Sequence, residues 1–385
     1  MIDTQVVLSL IKAVLACTPV AVPDDFPVAE YISFARDQQI ETILIAGLHK
    51  AGFPVTKELR NIYIQSVWMS NRQIEAACVL YAAFDSNKID YMPLKGGILK
   101  SLYPSEELRS MGDIDILVRM EQYDRIRALM LSNGYQEQTE RDHEFVWNKE
   151  GIKIELHRRL IPSFNKDYYA YYGDGWQNAK PVDGTYRFEM SITDTFVYLF
   201  THFAKHYRDA GVGIRQALDL YVYKRNYSLS EEYIQEKMRL LKLDRFYANT
   251  MHMLDVWFGS VEHTEASKLI SDRLFASGVF GTRENSLNSS MLKQINHQGS
   301  MKKAKISTWM KRVFVPYDGM RQLYPCLKKC PVLLPFMWIV RWGNVLLHKR
   351  NRFMEHVQED SMVTDDSVKE YQEMLHKSGL DFNFR

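Results

Sequence analysis

The sequence predicts an α+β fold in which a small mixed β-sheet core is flanked by N-terminal and C-terminal α-helical regions. Apolar residues recur every three or four positions through residues 1–88, which is the period of an amphipathic helix. Short runs typical of strands are concentrated in 89–160, and the helical period returns from Ser191 onward. A chain of 385 residues is long enough for two or three domains.

The change of period along the chain divides it into four segments. Residues 1–88 are predicted to form a helical N-terminal region, and 89–160 a compact α+β core. A second helical region covers 161–300. A segment rich in basic and aromatic residues, which ends in a terminal helix, covers 301–385.

Local signals bound the predicted elements. Thr56 is a candidate N-cap of a long helix that runs through Ala77 and Cys78. In the core, the pair Asn133-Gly134 is a C-cap signal for the helix that follows the second strand. Core strands are predicted at Tyr91–Leu94, Asp113–Val118, Phe145–Trp147 and Ile152–Leu156.

The C-terminal half is predicted to be mostly helical. Helices are expected over Thr195–Tyr207, Ile214–Tyr223 and Thr364–Lys377, where apolar residues keep the helical period. Residues 161–185 are rich in Tyr, Gly and Asp, and 279–300 contain many polar residues. Both stretches are therefore expected to be irregular.

Composition and cysteine usage indicate a cytoplasmic protein. Only four cysteines occur, and Cys326 and Cys330 have no second Cys or His pair at zinc-finger spacing, so a zinc site is not expected. Met1–Cys17 lacks a basic n-region and is interpreted as an amphipathic helix rather than a signal peptide. Pro331–His348 is apolar but contains Arg341, so no transmembrane segment is expected.

Carboxylates on two predicted strands indicate a metal site. Side chains alternate along a strand, so Asp113 and Asp115 share one face of the first strand. Glu155 shares a face with Lys153 and His157 on the other strand. If the two strands are neighbours, the carboxylates gather on one face, where they repel one another unless cations lie between them. Hard divalent cations prefer such oxygen ligands, and two of them can activate an attacking hydroxyl and stabilise a leaving pyrophosphate.

A glycine turn upstream of these strands is suited to phosphate. Gly96 and Gly97 lie between a strand and a short helix, and glycines let the backbone approach phosphate oxygens closely. Lys95 and Arg109 are candidate positive charges for a triphosphate. The order of turn, Asp-x-Asp strand and later carboxylate is a full set of parts for phosphoryl transfer.

These motifs resemble a bacterial family described as uncharacterised nucleotidyltransferases, within the DNA polymerase beta-like superfamily. The resemblance is good over residues 90–160 and weaker beyond them. It rests on Leu94-Lys95-Gly96-Gly97, Tyr103-Pro104, the run Arg109–Val118, Gly134-Tyr135, His143 and Ile154–His157, with a weaker echo at His202, His206, Arg215 and Asp219.

The resemblance implies a polymerase beta-like nucleotidyltransferase core and roles for its residues. Asp113 and Asp115 would ligate Mg²⁺ or Mn²⁺, and Glu155 would bind the second metal or act as general base. Gly96 and Gly97 would face the phosphates of an NTP, which we take to be ATP. The acceptor stays open among small molecules, proteins and RNA, because this superfamily modifies all three.

The histidines outside the strands leave alternatives open. His202 and His206 are four residues apart and share a helix face, so they either contact phosphate or the acceptor, or are satisfied at an interface. His157 either adjusts the carboxylates and contacts substrate, or is simply exposed. Arg215 and Asp219 are expected to form an ion pair within one helix.

The segment 302–352 is strongly basic. It contains twelve Lys and Arg residues but a single acidic one, Asp318. Aromatic residues are interleaved with the basic ones, among them Trp309, Phe314, Tyr317, Trp338 and Trp342. This composition suits nucleic acid or an anionic membrane surface, or packing against the acidic remainder of the chain.

The expected function is metal-dependent transfer of an NMP from an NTP to an acceptor, with release of pyrophosphate. One alternative is a non-catalytic protein that binds nucleic acid or a membrane surface through 302–352. Another is a toxin-like enzyme that modifies a protein.

Overall fold

The computed structural model describes residues 2–23, 25–279, 281–348 and 363–381, and it confirms the α+β class. The chain forms two compact units. The first comprises Met1–Tyr207, Gly211–Gly281 and Ser378–Leu380. The second comprises Arg208–Ala210, Thr282–Lys377 and Asp381–Arg385.

Helices make up most of both units. Thr56 caps α4 as expected, because its hydroxyl accepts a hydrogen bond from the amide of Leu59. From the N-terminus the helices are α1 (Thr4–Leu15), α2 (Val28–Gln38), α3 (Glu41–Lys50), α4 (Lys57–Ser86), α5 (Gly96–Leu99), α6 (Tyr123–Ser132), α7 (Lys166–Tyr172), α8 (Ile192–Asp209), α9 (Ile214–Asn226), α10 (Glu231–Leu240), α11 (Asp244–Phe258) and α12 (Glu265–Ser277). They continue with α13 (Arg283–Gln298), α14 (Met301–Val313), α15 (Tyr317–Leu323), α16 (Cys326–Lys329), α17 (Leu334–His348) and α18 (Asp365–Ser378).

A five-stranded mixed sheet forms the centre of the first unit, with strand order β1-β2-β5-β4-β3. Only β2 and β5 are parallel, and the other neighbours are antiparallel. A separate two-stranded sheet contains β6 and β7. The strands are β1 (Tyr91–Pro93), β2 (Ile114–Val118), β3 (Gln136–Glu140), β4 (Glu144–Lys149), β5 (Ile152–His157), β6 (Ala179–Pro181) and β7 (Phe188–Met190).

One face of the large sheet packs against α4 and α6. Ile114, Ile116 and Val118 of β2 are fully buried in this core, as the alternation of the sequence predicts. The helices contribute apolar residues at helical spacing, among them Leu80 and Phe84 from α4. Because apolar residues occupy this face, the alternating positions of the same strands point to the other face.

The edge strand β3 was not predicted from the sequence. It covers Gln136–Glu140, and all five of its residues are exposed. A strand without an inward apolar face has no period-two signal, so pairing with β4 alone defines it. The preceding helix α6 ends at Asn133-Gly134 as expected, and Gly134 adopts a positive φ of 81°.

Both stretches expected to be irregular contain regular structure. Within 161–185, helix α7 buries Tyr168 and Tyr172, and strand β6 pairs with β7. Within 279–300, helix α13 begins after the N-cap Thr282 and buries Met291. The apolar stripe of α13 is narrow, so its composition resembles that of a loop.

In the described part of the chain, none of the helices has the length and apolar character needed to cross a membrane. The terminal helix expected at Thr364–Lys377 is present as α18. Residues 349–362, which belong to the basic segment, lie outside the described residues.

Candidate active site

The parallel pairing of β2 with β5 places the predicted carboxylates side by side. Asp115 lies opposite Glu155, and Leu117 lies opposite His157. On the far side of β5, the antiparallel strand β4 places Glu144 opposite His157. Residues directly opposite each other on neighbouring strands point to the same face. The four polar side chains therefore share the face that is turned away from the apolar core.

His157 lies at the centre of this polar face and is 2% exposed. Its Nε2 atom is 2.8 Å from Oδ1 of Asp115, 3.7 Å from Oε2 of Glu155 and 3.9 Å from Oε2 of Glu144. Of the alternatives left open by the sequence, an exposed histidine is therefore wrong. The imidazole is buried among carboxylates and forms a hydrogen bond with Asp115.

Two lysines neutralise part of the negative charge. Nζ of Lys95 lies 2.8 Å from Oδ1 of Asp115. Nζ of Lys153 donates to Oε1 of Glu155 and lies 3.3 Å from Oδ2 of Asp113. The side chain of Asp113 is 34% exposed, so this carboxylate lies at the rim of the site rather than at its floor.

The surroundings move the pKa values of the two floor carboxylates in opposite directions. Burial raises the pKa of Asp115, but the charge of Lys95 and the hydrogen bond from His157 outweigh it and hold the pKa below its ordinary value. For Glu155, burial and the neighbouring carboxylates raise the pKa and outweigh the hydrogen bond from Lys153. The lysines therefore neutralise the charge of this face only in part.

The donor atoms on this face fit a divalent cation. In the described residues, one ligand atom each from Asp115, Glu155 and His157 lies within 4.8 Å of the others. His143, Glu144 and His157 form a second group with the same property. Carboxylate oxygens suit Mg²⁺ and Mn²⁺, whereas imidazole nitrogen suits Zn²⁺ and other later transition metals.

The polar face forms the floor of a cleft of about 640 Å³. This volume is in the range of small-molecule sites. Helices α8 and α9 line the cleft opposite the strands. The residues singled out from the sequence that line the cleft are Lys95, Gly96, Arg109, Asp113, Asp115, His143, Lys153, Glu155, His202, His206, Arg215 and Asp219, whereas Gly97 and His157 are not in its lining.

The two glycines of the turn after β1 have different surroundings. A Cβ atom on Gly96 would lie 2.3 Å from Sδ of Met111, so a larger residue at this position of the cleft wall would require the side chain of Met111 to move. Gly97 does not line the cleft: a Cβ there would lie 3.1 Å from the hydroxyl of Tyr81, which belongs to α4. The expectation that both glycines face a nucleotide stays a prediction, and of the two Gly96 lines the cleft.

Arg109 is bound inside the protein rather than pointing freely into the cleft. Its Nε and Nη2 atoms donate to the two carboxylate oxygens of Asp219 at 2.8 and 2.9 Å, and both residues are 5% exposed. The hydroxyl of Tyr103 donates to the same carboxylate at 2.8 Å. This buried pair joins the loop before β2 to helix α9.

The ion pair expected between Arg215 and Asp219 is wrong, because Asp219 is bound by Arg109. Nη1 of Arg215 donates to Oε1 of Gln39 and to the carbonyl of Ser110, each at 2.7 Å. Arg215 therefore also fastens α9 to the loop before β2. Helical spacing alone did not reveal that both side chains reach across to another element.

His202 and His206 lie on α8 at the opposite wall of the cleft. Their Nε2 atoms are 3.1 Å apart. Burial and the nearby charge of Lys95 hold the pKa of His202 well below its ordinary value, so its imidazole is neutral. Of the alternatives left open by the sequence, the structure places both histidines at the same cleft as the carboxylates.

The sequence interpretation gave no role to several cleft residues, among them Arg141, His143, Glu144 and Lys153. Nη1 of Arg141 lies 2.6 Å from Oε1 of Glu144, and Nε2 of His143 lies 3.0 Å from Oε2 of Glu144. The sequence placed Lys153 on the correct face of β5 but assigned it no function. The register of the hairpin could have revealed Glu144, because the short turn after Lys149 pairs position 144 with position 157.

The fold and the site together correspond to the class of nucleotidyltransferases. A mixed sheet has one face on helices, and its other face presents an Asp-x-Asp strand beside a parallel strand with a glutamate. A family model described as uncharacterised nucleotidyltransferase matches residues 24–259, more than half of the chain. The chain belongs to this family, which confirms the resemblance drawn from the sequence. No curated protein and no solved structure matches the chain.

Proposed function

We propose that this protein transfers a nucleoside monophosphate from an NTP, with ATP as the first candidate, to an acceptor and releases pyrophosphate. Membership of the nucleotidyltransferase family supports the general reaction. The observation that carries the finer proposal is the register of β2 and β5, which places Asp115 beside Glu155 at the floor of the cleft.

Asp113, Asp115 and Glu155 are the proposed ligands of Mg²⁺ or Mn²⁺. Such an ion, when bound, supplies positive charge to the phosphates and lowers the pKa of an attacking hydroxyl. His157 orients Asp115 through the hydrogen bond to Oδ1. Lys95 donates to the same oxygen, so both of these hydrogen bonds are made to Oδ1 of Asp115.

The triphosphate is proposed to lie along the wall formed by Lys95, Gly96 and Lys153. All three line the cleft, and both ammonium groups are held there by the carboxylates. Gly96 keeps this wall free of a side chain. We assign Arg109 a positioning role, because its bidentate pair with Asp219 holds the loop before β2 in place.

The acceptor is proposed to approach from α8. A neutral His202 offers a lone pair to an acceptor hydroxyl, and His206 lies within hydrogen-bond distance of it. The chemistry of the cleft is compatible with a small molecule, a protein side chain or RNA. We place the reaction in the cytoplasm, since the four cysteines are free thiols.

Labelled nucleotides test the reaction type. The purified chain is incubated with Mg²⁺ or Mn²⁺, a cell extract as acceptor source, and NTPs that carry the label on either the α- or the γ-phosphate. The proposal expects α-label on an acceptor fraction, labelled pyrophosphate from the γ-label, and about a hundredfold or greater loss in Asp115→Asn. Asp124→Asn is the matched control, because Asp124 is exposed on α6 outside the cleft.

Two outcomes of this experiment would change the assignment. Transfer of the γ-label to the acceptor would identify a kinase rather than a nucleotidyltransferase. Equal labelling by wild type and Asp115→Asn would remove the carboxylates from the mechanism. If the labelled acceptor is a protein and expression arrests growth only with Asp115 intact, the toxin-like alternative is favoured over a metabolic one.

A further inference from the structure

The second unit exposes a row of large apolar side chains at the start of α17. Val332 and Phe336 are 81% and 66% exposed, and Ile339 and Val340 are 62% and 49% exposed. Positions 336, 339 and 340 are three and four residues apart, so they lie on one face of the helix. Exposed apolar rows of this kind mark interaction surfaces.

The opposite side of α17 is fastened to its own unit. The indole nitrogens of Trp338 and Trp342 donate to the carbonyls of Val315 and Val313, each at 2.8 Å. Both rings pack edge-on against Phe314, with centroids 5.2 and 5.3 Å away. The helix therefore has an inner tryptophan side and an outer apolar side. The tryptophans are engaged in packing and offer no free platform for stacking nucleic-acid bases.

Positive charge borders the outer side. Lys328 and Lys329 are exposed and directly precede the apolar row. The segment 302–352 contains twelve basic residues and only one acidic residue, whereas acidic residues are in excess in the rest of the chain. The excess positive charge that would attract a negatively charged partner is therefore concentrated in this segment.

We propose that the surface formed by Lys328, Lys329, Val332, Phe336 and Ile339 docks on an anionic lipid bilayer. Apolar side chains with flanking lysines suit the boundary between headgroups and acyl chains. The lysines would contact the headgroups, while the apolar row enters the bilayer edge without spanning it. Nucleic acid fits less well, because Phe336 is the single aromatic side chain of the row, and Val332, Ile339 and Val340 are aliphatic. This inference does not depend on the proposed reaction.

Vesicle flotation of the full chain tests this surface. The vesicles contain phosphatidylcholine alone or phosphatidylcholine with phosphatidylglycerol, at low and at high salt. The proposal expects flotation with the anionic vesicles only, weakened by salt. Each basic residue near an anionic surface contributes about fivefold to partitioning, so K328E/K329E should lower it by more than about tenfold.

A second pair of variants tests the apolar row without changing charge. Phe336→Ser with Ile339→Ser should lower partitioning at least about tenfold, since two large apolar groups no longer enter the bilayer. Ile64→Ser with Val79→Ser is the matched control, because these residues are 56% and 57% exposed on α4. Unchanged thermal unfolding of both double variants checks that the fold is intact.

Three results would overturn the proposal. Flotation that survives Phe336→Ser with Ile339→Ser would show that the apolar row does not dock. Absence of vesicle binding combined with salt-sensitive binding of a single-stranded RNA oligonucleotide would assign the segment to nucleic acid. Absence of vesicle binding combined with dimerisation that Phe336→Ser with Ile339→Ser abolishes would assign the row to a second copy of the chain.

Discussion

At the scale of single residues, the site is governed by the cost of burying charge. Asp115 is 3% exposed, and burial alone would favour its protonated form. Contacts with Lys95 and His157 reverse this preference and keep the carboxylate ionised. The pKa of Glu155 is raised, because burial and the neighbouring carboxylates outweigh its contact with Lys153. The chemistry of these side chains is therefore compatible with a bound cation.

Lys100 provides a residue-scale prediction about stability. It is 5% exposed and donates to the carbonyl of Arg109. Burial and the charge of Arg109 lower the pKa of Lys100 from 10.5 to about 8. The folded protein thus binds this proton less tightly than the unfolded chain, so the free energy of unfolding should rise between about pH 8 and 10.5.

Lys100→Met should remove this contribution. Urea unfolding at about pH 7.5 and 9.5 should show the wild type gaining about 2 kcal/mol more than the variant over this interval. The lost hydrogen bond shifts the variant by the same amount at both pH values, so only the difference between the two values is diagnostic. If wild type and variant showed the same pH dependence of the free energy of unfolding, the pKa of Lys100 would not be lowered in the folded protein.

At the scale of elements, the site depends on contacts that hold the loop before β2. Arg109, which lies in this loop, donates to Asp219 of α9. Arg215 of α9 donates to the carbonyl of Ser110 in the same loop. The loop leads into the strand that carries Asp115. Helix α9 therefore holds the loop that precedes the carboxylate strand, although it carries none of the proposed metal ligands.

Asp219→Asn should destabilise the protein by about 3–5 kcal/mol, because it leaves the buried guanidinium of Arg109 without a counter-charge. The double variant Arg109→Met with Asp219→Leu should recover much of this loss, since no unpaired charge is left. A double-mutant cycle by chemical denaturation measures the coupling. Additive effects would contradict a direct, buried ion pair.

The predictability of each element followed its apolar pattern. β5 alternates strictly and β2 alternates as far as Ile116, and the sequence predicted both strands and the face that carries Asp115 and Glu155. β3 has no buried residue and α13 few, so neither left a usable period. Within the site, Glu144 was missed because its proximity to His157 arises from the register of β4 and β5 rather than from spacing along one strand.

At the scale of the whole molecule, chemistry and surface properties fall in different parts of the chain. The family match covers 24–259, which includes every proposed metal ligand. The basic segment and α17 lie beyond it, in the second unit. The proposed surface role of the segment 302–352 can therefore be tested separately from the proposed reaction.

Calorimetric titration with ATP, GTP, CTP and UTP tests whether the carboxylate cleft is a metal-dependent nucleotide site. At least one NTP is expected to bind only in the presence of Mg²⁺ or Mn²⁺. Asp115→Asn should weaken this binding at least about tenfold, because it removes a proposed charged metal ligand, whereas Asp124→Asn should leave it unchanged. Absence of NTP binding with either metal, or metal-independent binding that Asp115→Asn does not alter, would show that the cleft is not such a site.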